Sequence, residues 1–181
     1  VMEDYTPDMD QMLFYLPLAG STFKKVYYDE TLGRAVSKFI PAEQLVVPYE
    51  TSDLDSCPNI TQVIRMSLND LRKKQVSGFY LDLPVIPAQE ELNSVDDEIN
   101  RIDGLSPSQV DYDCTILECH VDLDLEGYED VDDDGEPTGI KVPYVVTISQ
   151  DNGQILSIRR NYNEDDELKR KIQYFVHFKF L

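Results

Sequence analysis

The sequence is poor in positive charge, cysteine and histidine, has no tryptophan, and contains no long apolar run. Each shortage excludes something. With 16 Lys and Arg against 35 Asp and Glu, the formal charge is −19. That balance argues against tight, direct gripping of a nucleic-acid backbone, which depends on cations that neutralise phosphates. No apolar stretch approaches the ~18 residues that a membrane-crossing helix needs, so no membrane partner is expected. There is no basic segment followed by an apolar one, so no secretion signal is read. Cys57, Cys114 and Cys119 are odd in number and widely scattered. They do not make a disulfide scaffold, and a reducing compartment is the default expectation. Neither the P-loop pattern nor the dinucleotide-binding glycine pattern occurs.

What remains describes a folded chain. Hydrophobic residues make up 41% and charged residues 28% of 181 positions, enough for a real core in one domain or one domain with an appendage. The charge is concentrated. Residues 90–136 hold 18 acids and one base, Arg101, whereas 1–89 carry 12 acids and 8 bases and 137–181 carry 5 acids and 7 bases. The chain therefore divides into an N-terminal part at 1–84, an acidic insertion at 85–137 and a C-terminal part at 138–181. The acidic stretch reads as a solvated helix with acidic loops, as a cation site, or as a surface that repels DNA.

The local patterns point to an α+β fold dominated by antiparallel β-hairpins, with a few short helices. Thr6 and Pro7 suit a helix start. Met9, Met12, Leu13 and Leu16 then share one face, and Pro17 and Gly20 should end or kink the helix. Residues 23–28 and 34–40 read as strands of a hairpin, 45–47 as a short strand and 60–66 as another. Ser67, with Asp70 three residues on, is an imperfect capping box for a helix that stops at Gly78. A second, polar helix is expected at 88–102, with Leu92, Val95, Ile99 and Ile102 at helical spacing. Further on, 112–125 and 144–149 alternate as strands around a hairpin tip at 126–139. The Asp151, Asn152, Gly153 run is the strongest turn signal, followed by a strand at 155–159. A turn or short helix at 163–170 and a last strand at 172–180 complete the chain.

Several clusters invite chemistry. Asp130, Asp132 and Asp134, followed by Gly135, match the start of a calcium loop, in which alternate carboxylates converge on a hard cation. The twelfth position of that loop is Lys141, not the bidentate Glu it requires, and a strand follows. The competing reading is an acidic hairpin tip that uses Asp and Gly as turn formers. Ca²⁺ is thus the one cofactor to consider, and no other is expected. Cys114 and Cys119 lie on opposite faces of a strand and so do not chelate together; a buried strand cysteine is the better reading. His120 and His177 also fall on strands with no glycine elbow nearby, so no nucleophilic triad emerges. Arg159 and Arg160, beside Asn161 and Tyr162, form a small basic-aromatic patch. It either ties down the acids at 164–167 or touches a partner. No enzyme emerges from these residues.

Four stretches are familiar together. Residues 13–29 (LFYLPLAGSTFKKVYYD), then 39–47 (FIPAEQLVV) with 60–66 (ITQVIRM) and 69–72 (NDLR), then 143–148 (PYVVTI) with 158–162 (IRRNY), and finally 174–180 (YFVHFKF) resemble, in that order, the portal protein of podovirus-type tailed bacteriophages and prophages. Together with the stretches between them they cover most of the chain, leaving the acidic region as the variable part. None is a catalytic signature.

The resemblance implies a head-tail connector: a ring, typically a dodecamer, at one capsid vertex. DNA is pumped in through it by the terminase motor and leaves through it into the tail. It implies a wing-like α+β part with no enzymatic activity, capsid and tail proteins as partners, double-stranded DNA passing without specific binding, and a place in the virion after assembly in the host cytoplasm. Portals are several hundred residues long, so an internal fragment is expected. The abrupt start at Val1 and the stop within an aromatic-polar strand suggest the same. Arg159, Arg160, Tyr27 and Tyr28 are the candidate contacts between neighbouring subunits. The readings of a different class are a Ca²⁺-binding interaction module on the 130–135 loop and an acidic DNA mimic that occupies a basic protein.

Overall fold

The computed structural model describes residues 5–29, 33–84, 114–132 and 134–180. The expected helix at 88–102 and the tip of the first hairpin at 30–32 lie outside them. Within them the fold is α+β, with two antiparallel sheets and two α-helices. The elements are α1 (Tyr5–Ala19), β1 (Ser21–Asp29), β2 (Arg34–Ile40), a 3-10 turn (Ala42–Gln44), β3 (Leu45–Val46), β4 (Asn59–Met66), α2 (Leu68–Val76), β5 (Cys114–Leu123), β6 (Val142–Ser149), β7 (Ile155–Arg160) and β8 (Phe175–Lys179). No described helix is long and apolar enough to cross a membrane.

One sheet is ordered β2-β1-β8 and the other β3-β4-β5-β6-β7. The chain folds as two compact units: Val1–Gln62, His120–Tyr144 and Arg160–Leu181 form the first, and Val63–Cys119 with Val145–Arg159 the second.

In the first unit β1 is the central strand of its sheet. It pairs antiparallel with β2, Phe23 opposite Ile40 and Lys24 opposite Phe39, and with β8, Phe23 opposite His177. Side chains alternate across a strand, so Phe23 and Lys24 enter different environments. Phe23 joins Ile40, Leu45, Leu54, Ile60 and Phe175 in an apolar core. Lys24 faces α1 on the other side of the sheet and is only 4% exposed. Both faces of β1 are thus covered, which simple alternation of apolar and polar residues does not reveal.

α1 departs from expectation. Tyr5 is already helical, so Thr6 does not cap the helix; Thr6 and Pro7 sit in its first turn, where a missing N–H costs nothing. Pro17 does not end it. Only Leu18 and Ala19 follow, and Gly20, at φ 72°, closes the last turn by donating to the Leu16 carbonyl at 2.9 Å. Of the apolar face expected at Met9, Met12, Leu13 and Leu16, only Met12 is fully buried, and Leu13 is exposed.

The second unit follows its sequence closely. Ser67 is the N-cap of α2, and its hydroxyl accepts from the Asp70 amide at 3.2 Å. Gly78, at φ 76°, takes the left-handed conformation after the helix. Leu71 packs with Tyr80, Cys114, Ile116 and Leu156 in that unit's core. The turn between β6 and β7 closes with the Gly153 amide on the Ser149 carbonyl at 2.9 Å, Gly153 having φ 68°. The last strand is shorter than read. β8 begins at Phe175, because the Ile172 amide bonds to the Asn161 carbonyl instead of joining a ladder.

Candidate functional site

The acidic tip joins β5 to β6 within the first unit. Asp132 organises it: its Oδ1 accepts from the backbone amides of Asp134 at 3.0 Å and Glu136 at 2.9 Å, and Gly135, at φ 84°, permits the turn. A side-chain oxygen bonding the backbone two residues on is the turn-forming use of aspartate. Asp130 points elsewhere. Its carboxylate is nearly buried, accepts from the Thr138 hydroxyl at 2.7 Å and pairs with the Lys169 ammonium. Lys169 reaches it from a turn in which its own φ is 45°, a region L-residues rarely adopt. Asp134 is exposed at the tip. Asp130 and Asp132 are therefore committed to different partners and Asp134 is exposed, the geometry of a hairpin tip fastened by a lysine. Among the described residues no group of three His, Cys, Asp or Glu side chains is arranged to hold a metal ion.

Arg159 and Arg160 do not form one patch. Adjacent strand residues point to opposite faces, and here they fall in different units. Arg160 pairs with Glu164 at 2.5 Å, the tie expected between this segment and its acidic neighbour. Arg159 does something the sequence did not suggest. Its guanidinium lies 3.5 Å from the centre of the Phe79 ring and donates to the Phe79 carbonyl at 3.0 Å. The Lys74 ammonium lies 4.6 Å from the same ring. Two cations around one aromatic ring make a cation-π cluster. Tyr80 packs edge-on against Phe79. Burial pushes its hydroxyl pKa well up, Glu118 adds to that shift, and Arg159 opposes it.

Tyr27 and Tyr28 alternate on β1. Tyr28 is exposed, as expected, but Tyr27 is half-buried, with the Lys25 ammonium 5.5 Å from its ring. Cys114 is buried in the core of the second unit and donates to the Met66 carbonyl at 3.3 Å, while Cys119 is half-buried. His120 packs edge-on against Tyr174 and Phe175. His177 stacks on Phe23 at 4.6 Å, its Nε2 2.5 Å from the Ser21 hydroxyl. Burial, assisted by Lys179 and opposed by Asp53, holds its pKa below the usual histidine value.

Two surfaces escaped the sequence reading. One is the cluster around Phe79, whose members are about 80 positions apart. The other is the outer face of α1, where Leu13, Phe14 and Leu18 are 51%, 69% and 73% exposed. The helical spacing placed Met9, Met12 and Leu16 on the side that is buried or half-buried, misplaced only Leu13, and did not signal the exposed Phe14 and Leu18. Neither a protein-family model nor a curated protein matches this chain.

Proposed function

We propose that this chain is a structural, non-enzymatic segment of a phage portal protein, part of a ring-shaped homo-oligomer at the capsid vertex through which DNA is packaged and ejected. The observation that carries the reading is the outer face of α1. Leu13, Phe14 and Leu18 sit in the first of the four portal-like strings, and Phe14 and Leu18 are one helical turn apart on one face. Large apolar side chains grouped on a surface mark contact with another molecule more often than they mark chance. In a ring, each copy covers part of its neighbour. The charge suits a conduit as well: at −19 the chain repels phosphates, over a range of about 8–10 Å at physiological salt. Terminase, capsid and tail proteins are the partners this role brings, in a virion assembled in the bacterial cytoplasm.

The test is negative-stain electron microscopy of the full-length gene product. Rings with a central channel are the expected result. A monodisperse small globule, at micromolar concentration and above, overturns the proposal.

A further inference from the structure

β8 is an edge of the first unit's sheet. In the order β2-β1-β8 it has β1 on one side and, among the described residues, no strand on the other. Five residue pairs hold it, from Ser21 opposite Lys179 to Lys25 opposite Phe175. The segment before it is tied down elsewhere, the Ile172 amide to the Asn161 carbonyl and the Gln173 side chain to Asp55. What β8 gives the core is Phe175, which is fully buried beside Phe23.

A half-buried histidine stands in the middle of this ladder. His177 lies opposite Phe23, and the two rings stack with centres 4.6 Å apart. Its Nε2 is 2.5 Å from the Ser21 hydroxyl, so side chains as well as backbone join β8 to β1. Few other groups face the ring. Lys179, two residues on, shares its side of β8, and Asp53 comes from the segment between β3 and β4. Farther along the same face, Lys25 lies over the Phe175 ring and donates to Gln62, and Lys38 of β2, opposite Lys25, is exposed. His120 of β5 packs edge-on against Tyr174 and Phe175. Both histidines of the chain therefore meet one short segment, 174–177.

A proton changes this contact. The neutral imidazole exchanges one hydrogen bond with the serine and offers Phe23 an uncharged face. The imidazolium carries a proton on each nitrogen and a full charge, on a ring partly withdrawn from water and close to a lysine. Burial is the main cause that holds His177 below the ordinary value of 6.5; Lys179 adds to it and Asp53 opposes it.

We propose that His177 makes β8 an acid-released strand: the uncharged ring clasps it to Phe23 and Ser21, and protonation loosens residues 175–179 from β1 while the rest of the chain stays folded. With β8 held, His177 binds fewer protons than with β8 free. The hold is therefore complete above the ordinary histidine value and is lost as the pH falls through the lower, folded value. Release bares one edge of β1, and an unpaired edge is a template for another strand. The clasp stands whether or not the ring reading does.

The test is hydrogen exchange of the full-length gene product, read by mass spectrometry and corrected for the intrinsic pH dependence of exchange. The range runs from about pH 7.5 to about pH 5, which is above the ordinary carboxylate values. Protection of residues 175–179 should fall by up to about tenfold across it, with β7 of the second unit unchanged. His177→Gln retains a hydrogen-bonding side chain opposite Ser21 but does not titrate, and should abolish the acid step. Two exposed neighbours should tune the step in opposite directions. Lys179→Met removes a repelling charge and should shrink it; Asp53→Asn removes an attracting one and should enlarge it.

A wild type without the step overturns the clasp. So does a step that persists in His177→Gln, which assigns it to another group such as His120, and so does an equal loss in β7, which is general unfolding. Tightening of β8 in acid overturns it too, and would mean that the Phe23 face holds the imidazolium as a cation. If His177→Gln leaves β8 unprotected already at neutral pH, the other two variants decide: opposite changes support the clasp, and equal steps overturn it.

Discussion

The two helices are fastened to their units in opposite ways. α2 is short and almost entirely explained by its own residues: a capping serine, an acid in its first turn, two lysines near its end and a left-handed glycine after it. It is attached through Leu71 in the apolar core and through the neutral, buried Gln75, whose amide donates to the Leu81 and Leu83 carbonyls at 3.2 and 2.7 Å, while its ion pairs, Arg72 with Asp82 and Lys73 with Asp70, stand in solvent. α1 is longer, buries only Met12 completely, and exposes much of its apolar surface. What fixes it is polar and buried. The Asp8 carboxylate takes the Lys24 ammonium at 2.9 Å with one oxygen and the Phe39 backbone amide at 2.5 Å with the other. The Tyr5 ring lies 4.6 Å from the same ammonium. One helix is held by what it buries from water, the other by an ion pair that only functions while both partners are present.

The comparison is broken most directly at Lys24. Replacing it by methionine keeps the volume but strands the Asp8 carboxylate in a site that has little access to water. Removing one partner of a buried pair costs about 3–5 kcal/mol. The loss should appear in urea unfolding and be confined in origin to the first unit. The double variant Asp8→Asn, Lys24→Met should recover most of it, because no charge is then left unpaired and an amide oxygen still accepts from Phe39. A Lys24→Met protein about as stable as wild type would show that α1 is held by Met12 and its neighbours instead.

The contrast also explains what could be read from the sequence. The start and stop of α2 and the β6–β7 turn depend on residues within a few positions of one another: Ser67 with Asp70, Gly78, and Asn152 with Gly153. The β1–β2 hairpin follows from alternation, as does the α+β class. The attachment of α1 depends on Asp8 meeting Lys24 and Phe39, contacts that no local pattern encodes. Lys24 in particular sits in an alternating strand, where a lysine ordinarily marks the wet face. It is buried because a helix covers that face, and the covering is a tertiary fact. The same holds for the candidate sites. The acid-glycine tip was legible as a turn, and Arg160 as the partner of a nearby acid. The role of Arg159 was not, because Phe79 comes from a distant segment of the chain.

A smaller effect sharpens the other side of the comparison. Ser67→Ala removes the acceptor for the Asp70 amide and leaves an orphan donor in the first turn of α2. Caps of this kind contribute ~1 kcal/mol. Since α2 is anchored by Leu71 in its unit's core, the loss should appear as faster hydrogen exchange of the first-turn amides with little change in the global transition. A drop as large as that of Lys24→Met would mean that the helix depends on its cap and not on its buried face.

The smallest expected effect is the acid response of that same turn. Asp70 is fully exposed, yet the hydrogen bond from Lys73, then that from Ser67, hold its carboxyl below the ordinary aspartate value. A depressed folded pKa means that the folded protein binds fewer protons than the unfolded chain. The stabilisation is therefore present above the ordinary value, near pH 4, and is lost as the pH falls through the lower folded value. Solvent screens an exposed pair, so the change should be local: the first-turn amides of α2 lose protection in acid, and Asp70→Asn removes that part of their pH dependence while leaving them less protected at neutral pH. An unchanged acid profile in Asp70→Asn would assign the effect to another carboxylate. For α1 the corresponding variant carries the opposite lesson. Asp8→Asn strips the charge from a site where Lys24 remains buried, so its cost should already be full at neutral pH and should spread through the first unit. The difference between the two variants measures what burial adds to an ion pair.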